Sequence, residues 1–266
     1  GYWQKNHKNM RNYVLVSPFP TAKVITDSLA DNRIKTYGTS LQADWQLGES
    51  NFLITGYEFV QDQLEADTDA RSSMSMRSML MSDTQTHRFN KGKETTNAIF
   101  ASMETSLPMD FTVNYGVRYT WVNSKLSKAS ASLNGFDRNG QYKNFDDGSA
   151  GKTGSDRNSR PVFNLSLNWT GLPDTSLRAG WSQGFRVPNL QEKYLMNSMG
   201  GGTIFGNPNL KPEKSNNFEI GARYAGSAVE ADFALFYNLA DDYISTIRIY
   251  PDVGTKSQYT YENADK

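Results

Sequence analysis

Apolar and polar residues alternate one by one along much of this chain. From Phe111 to Trp121 the odd positions read Phe111, Val113, Tyr115, Val117, Tyr119 and Trp121, and the even ones Thr112, Asn114, Gly116, Arg118 and Thr120. The same period of two runs through Phe163, Leu165, Leu167 and Trp169, through Leu177, Ala179 and Trp181, and through Phe218, Ile220, Ala222 and Tyr224. It returns in Val229, Ala231, Phe233, Leu235, Tyr237 and Leu239. Successive side chains of a strand point to opposite faces, whereas a helix returns to one face about every 3.6 residues. Each segment is therefore predicted as a strand with one greasy face and one polar face.

Such segments predict about nine to ten strands, near residues 12–18, 34–47, 51–64, 94–107, 110–126, 159–170, 174–186, 215–226, 228–249 and 256–264. Several exceed the five to six residues or so that are usual in soluble sheets. Their polar face carries Glu58, Arg118, Arg178, Arg223, Glu230 and Asp232, which suits a wide antiparallel transmembrane β-barrel with a wet lumen. A soluble β-sandwich would instead turn those charges to bulk water and its apolar faces to a second sheet. Short turns at 47–50, 107–110 and 171–174 alternate with long polar loops expected at about 65–93, 127–158 and 187–214. In an outer-membrane barrel the short turns face the periplasm and the long loops the outside. Trp45, Trp121, Trp169, Trp181 and Tyr224 are expected in the interfacial aromatic girdles.

Composition permits this reading. Hydrophobic residues make up 37% of the chain and mean hydropathy is −0.64, with no apolar run near the roughly 20 residues of a membrane-spanning helix. A barrel needs apolar residues only at alternate positions, so low hydropathy is compatible with it. Lys plus Arg and Asp plus Glu balance at 28 each, which leaves no basic field for nucleic acid. Cysteine is absent, so disulfides and thiolate metal sites are excluded. With His7 and His87 as the only imidazoles, and with no Gly-x-Ser-x-Gly or His-Glu-x-x-His, no catalytic residue is assigned.

The most specific feature lies between Gly184 and Gly221. Phe185-Arg186-Val187-Pro188 and Asn207-Pro208-Asn209-Leu210-Lys211-Pro212-Glu213 bracket a loop that contains Gly200, Gly201 and Gly202. Proline has no amide hydrogen and a fixed φ, so each motif marks where a strand stops pairing. Any one of Pro188, Pro208 and Pro212 could be ordinary turn punctuation; together with the glycines they describe a long loop with fixed ends, and such loops are usually functional. The pair of motifs resembles the signature region of TonB-dependent outer-membrane receptors, with Val187 where that family usually has alanine.

The resemblance implies an energised, gated importer in the outer membrane of a Gram-negative bacterium, built as a barrel of about 22 strands. The 266 residues are then expected to be the central part of such a receptor, with a globular plug before them and further strands after them. The plug carries the contact to the TonB energy-coupling complex. Expected partners are the cargo, that complex and outer-membrane lipid. A passive porin would share the strands but has no reason to carry both motifs.

The family's commonest cargo favours a ferric siderophore, with haem next and copper third. Residues 189–206 hold no histidine, although Asp241 to Thr246 and Tyr261-Glu262-Asn263 resemble haem receptors. The candidate ligand-contacting side chains are Arg77, His87, Arg88, Tyr194, Met196 and Met199. Met74, Met76, Met79 and Met81 offer soft sulfur that suits Cu(I) or an apolar ligand. Asp137-x-Asn139-Gly140 and Asp146-Asp147-Gly148 are fragments of a calcium-loop vocabulary without its full ligand series. Neither a resident metal nor a cofactor is assigned.

Overall fold

The computed structural model describes residues 1–136, 141–145, 153–199, 202–253 and 256–264. In chain order come strands β1 (Tyr2–Phe19), β2 (Ala22–Leu47), β3 (Asn51–Met76), β4 (Met79–Leu107), β5 (Phe111–Phe136), the short β6 (Tyr142–Phe145), β7 (Gly154–Leu172) and β8 (Thr175–Arg186). Helix α1 (Leu190–Tyr194) follows, then β9 (Met196–Met199), β10 (Gly202–Phe205), β11 (Glu213–Ala225), β12 (Glu230–Asp241), β13 (Tyr243–Val253) and β14 (Lys256–Ala264). A 10-stranded sheet has the order β1-β2-β3-β4-β5-β7-β8-β11-β12, with β6 on β5. Its neighbours are antiparallel throughout, and it is open, with β1 and β12 at its edges. A 4-stranded sheet has the order β13-β14-β10-β9.

Register turns the alternation into surfaces. Trp45, Leu53, Met103, Tyr115, Leu165, Trp181, Phe218 and Tyr237 are successive cross-strand partners from β2 to β12. They form one apolar row on one face of the sheet. The next position on each strand gives the row Asp44, Ile54, Ser102, Gly116, Asn164, Ser182, Asn217 and Asn238 on the other face, almost wholly polar. On that polar face Arg118 meets Glu58 at 2.5 Å, and Arg178 meets Glu219 and Asp232, each at 2.9 Å. Many apolar-face side chains, such as Leu165 and Phe233, are exposed in the chain by itself. Burial within the protein does not drive this sheet; its greasy face is matched to a surrounding apolar solvent.

Two of the expected loops are strand instead. Residues 65–93 continue β3 and β4 to a two-residue turn at Arg77 and Ser78, whose φ values of 47° and 64° are those of a tight hairpin. Residues 127–136 and 154–158 likewise extend β5 and β7. Above the apolar band both faces meet water, so the sequence loses its period of two while the backbone ladder simply continues. Cross-strand charges hold the register there: Lys91 to Glu65 at 2.6 Å and Arg71 to Asp83 at 2.6 Å. The expected strand 12–18 grows to β1, and β2 begins at Ala22 rather than near residue 34. The expected strand 228–249 is divided at Asp242, whose φ of 57° turns the chain from the large sheet into the small one. The calcium-like fragments at 137–140 and 146–148 lie outside the described residues, as do Gly200 and Gly201.

Candidate functional site

β8 ends and β11 begins as a directly paired couple, Arg186 opposite Glu213. The chain between them folds onto the polar face of the wall. Asn189 caps α1: its Oδ1 accepts from Glu192 N at 2.9 Å, and Glu192 Oε2 accepts from Asn189 N at 2.9 Å. This reciprocal capping box starts a helix too short to stand by propensity alone. Packing supplies the rest. Leu190, Tyr194 and Leu195 form a buried cluster with Leu126, against Leu64 and Ala129 of the wall.

Two glycines permit the approach. A Cβ on Gly92 would lie 2.6 Å from Leu190 Cδ1, and one on Gly206 would lie 2.7 Å from the backbone of Lys193 and Tyr194. Gly206 N donates to Leu195 O at 2.9 Å, and Asn207 N donates to Glu192 O at 2.8 Å. The chain leaving β10 is thereby sewn back to α1.

Arg186 is the electrostatic centre of the loop. Its Nε and Nη2 donate to the two oxygens of Glu213 at 2.6 and 2.7 Å, and its Nη1 donates to Glu192 at 3.0 Å. The first motif's arginine thus grips the second motif's glutamate in a two-pronged pair. Arg186 holds the Glu213 carboxyl below the usual carboxylate range, outweighing the opposite effect of burial, and a donated bond from Ile244 N adds to the lowering. The Arg186 guanidinium is shifted upward, first by Glu213, against desolvation and with help from Glu192. Nearby, buried Lys193 is ion-paired to Asp156. Burial raises the Tyr194 phenol above its ordinary range, with Asp156 contributing further.

The remaining motif residues are held by the small sheet. Asn207 donates to Tyr261 O at 2.9 Å, and its Oδ1 accepts from Asn209 N at 2.9 Å. Lys211 N donates to Asn263 Oδ1 at 2.8 Å while Asn263 Nδ2 donates to Lys211 O at 2.9 Å. Pro188 is fully buried and Leu210 nearly so. β10 pairs parallel with β14 and antiparallel with β9, so the signature loop and the chain's last strands are one structure.

The candidate ligand-contacting residues do not converge. Arg77 sits at the tip of the β3–β4 hairpin. His87 lies on the face that continues the apolar one, 2.9 Å from Asp69 and 3.4 Å from Asp67. Their ligand atoms lie within 4.8 Å of one another, on a largely exposed surface. Arg88, one position on, belongs to the opposite face. Tyr194 is buried in the helix cluster on the polar face, away from His87. Met196 and Met199 are in β9, their side chains outside the described ones. Asn189, Glu192, Lys193 and Asp156 are not singled out by sequence, and Asn263 is named there only within the Tyr261-Glu262-Asn263 resemblance to haem receptors. Asn189-x-x-Glu192 is a readable capping signal, whereas the partners of Lys193 and Lys211 come from distant strands.

A family model described as TonB dependent receptor-like, beta-barrel matches residues 1–266. The chain is 39% identical over 89 residues to the iron-regulated outer membrane virulence protein of Vibrio cholerae serotype O1, a match covering 32% of this chain and 13% of that protein. In fold it is similar to the ferric yersiniabactin uptake receptor FyuA from Yersinia pestis, with TM-score 0.50, 17% identity, and 91% of this chain and 32% of that one covered. It is similar also to the copper transporter OprC, with TM-score 0.51, 12% identity, and 99% and 49% covered. The chain spans about half or less of the length of these relatives.

Proposed function

This chain belongs to the TonB-dependent receptor β-barrel family of the outer membrane, and from that premise we propose that it is part of an energised importer whose cargo is a ferric siderophore. The apolar face then meets lipid, the polar face lines the lumen, and the loop from Arg186 to Glu213 rests on the lumenal wall. Cargo descends past the tall β3–β4 and β1–β2 hairpins to the loop. The plug and its contact to the TonB complex belong to the receptor outside these residues.

One observation carries the choice of cargo. Haem iron takes axial donors such as histidine or tyrosine, yet His87 and Tyr194 stand on opposite faces of the wall. A ferric siderophore brings its own iron ligands and asks the protein only for contacts. The iron-regulated relative supports an iron-bearing cargo in general.

The test uses the full-length receptor in an iron-limited strain. Growth on one or more ferric siderophores is expected to require the receptor and to stop when the proton gradient is collapsed. Haemin added to the purified receptor is expected to give no saturable Soret shift. A saturable shift that disappears on replacing His87 or Tyr194 would make haem the cargo.

A further inference from the structure

His87 serves two carboxylates with one ring nitrogen. Its Nδ1 lies 2.9 Å from Asp69 Oδ1 and 3.4 Å from Asp67 Oδ1, and an imidazole carries at most one hydrogen on that atom. Asp69 stands directly opposite His87 across the β3–β4 ladder, and Asp67 is two positions back along β3, on the same face. Although the Asp67 side chain is partly exposed, its Oδ1 is buried and accepts no hydrogen bond among the described residues. A buried carboxylate oxygen without a donor is costly unless a cation takes the donor's place.

The neighbouring arginines are already engaged. Arg33, whose charge reaches Asp67, is bonded to Asp31 at 2.6 Å. Arg11 grips both oxygens of Asp27, and Arg71 both oxygens of Asp83. Asp31 itself stands directly opposite Asp67 and adds a third negative charge to the patch. Among the described residues, Asp67 and Asp69 have His87 as their ion-pair partner.

The spacing of the three groups suits a metal ion. Bonds from zinc to imidazole nitrogen or carboxylate oxygen are about 2.0–2.2 Å, so adjacent ligand atoms are about 3.4 Å apart in a tetrahedral site and about 3.0 Å apart in an octahedral one. The two distances from His87 Nδ1 are close to those edges, and all three ligand atoms lie within 4.8 Å of one another. An open recess of about 490 Å³ has Asp69 and His87 in its wall beside Arg11, Leu29 and Gln85, which leaves room for water to complete the coordination. The site also stands clear of lipid. Phe59 and Trp121 flank Asn97 in one cross-strand row, and Trp3 and Tyr37 begin the next row outward; such aromatic rows mark the membrane–water interface. His87 is ten positions beyond Asn97 along β4, about 33 Å of strand.

We propose that Asp67, Asp69 and His87 bind a divalent first-row transition metal ion through His87 Nδ1 and one oxygen of each aspartate. The dication neutralises the two carboxylates and satisfies the buried oxygen of Asp67. Imidazole selects such an ion over Mg2+ and Ca2+, which favour oxygen ligands throughout. Coordination ties β3 to β4 where lipid no longer holds the strands side by side. The site lies on the opposite face from the signature loop, so it is separate from the cargo path and does not depend on which cargo the receptor takes.

The experiment uses the full-length receptor in detergent, stripped with a chelator, with Zn2+ as the probe. Isothermal titration at neutral pH compares the parent with His87→Ala, with Asp67→Asn/Asp69→Asn and with the control His7→Ala, whose imidazole pairs with Asp31 alone. Parent and control are expected to bind one more Zn2+ per chain than either site variant. Carbethoxylation by diethyl pyrocarbonate, read by mass spectrometry, is expected to slow at least tenfold or so at His87 when Zn2+ is in excess and to stay unchanged at His7. Equal Zn2+ stoichiometry in the parent and His87→Ala overturns the proposal, as does an unprotected His87. Protection by millimolar Ca2+ equal to that by Zn2+ overturns the class of metal. Heat-modifiable migration separates a lost site from failed assembly, and the protection measurement on the parent needs no variant.

Discussion

Arg186 and Glu213, 27 residues apart, face each other across the β8–β11 ladder and share a two-pronged ion pair. The two sequence motifs are therefore one structural device, a clasp that closes the base of the loop. Replacing Arg186 with alanine should leave barrel assembly intact while reducing uptake and opening residues 187–212 to protease. A double-mutant cycle with Glu213→Ala is expected to give a coupling of about 1–3 kcal/mol. Additive single effects would show that the contact does not close the loop.

Asn263 repeats the trick with a neutral side chain, donating to and accepting from the backbone of Lys211. Asn263→Ala leaves both Lys211 groups without that partner and should cost about 1–2 kcal/mol of local stability. Hydrogen exchange at Lys211 and Glu213 is the measurement; unchanged protection would contradict this docking role.

Gly206→Val is expected to be the most damaging single change in the loop, since its Cβ would press on the Lys193 and Tyr194 backbone rather than on a pliable side chain. Uptake should fall with membrane insertion retained. Normal transport by the variant would mean the approach of β10 to α1 is dispensable.

The two faces of β7 give a paired test. Leu165→Arg places a charge on the lipid side and should destabilise assembly by about 2–4 kcal/mol, whereas Ser166→Arg, on the lumenal face, should insert normally. Equal insertion of both variants, read from heat-modifiable migration, would reverse the facing assigned to the sheet.

Glu94 supplies a pH dependence. It is level with Lys93, outside the aromatic rows, and accepts from Ser124 Oγ at 2.7 Å. Burial raises its pKa, with Ser124 opposing and Asp62 and Glu192 adding smaller upward effects. A raised folded value means its stabilisation is complete below the unfolded value of about 4.3 and is lost as pH rises through the folded one. Glu94→Gln should therefore flatten the pH dependence of melting above the unfolded carboxylate value and melt higher than the parent once the parent's Glu94 is ionised. A variant whose melting profile parallels the parent's removes Glu94 from the account.

What could be read in advance follows solvent. Between Phe111 and Trp121 lipid faces one side and water the other, so the alternation of the sequence is the fold itself. Along 65–93 water faces both sides, and the strands of the hairpin are written only in charge pairs such as Glu65 with Lys91, which carry no period. The signature motifs announced a loop through proline and glycine chemistry. Their mutual contact, and the service of Tyr261 and Asn263 as its dock, depend on β14 lying beside β10, a pairing of distant segments that no local pattern encodes.

The length of β4, 29 residues, has a practical corollary for redesign. Met79 begins the strand at its tip, while Gly92 receives Leu190 thirteen positions further on, a separation of roughly 40 Å along the ladder. Contacts that far apart share no partners, and their effects on free energy add. The rim can then be recoded for a different cargo as an interchangeable part, with the clasp below it left as inherited.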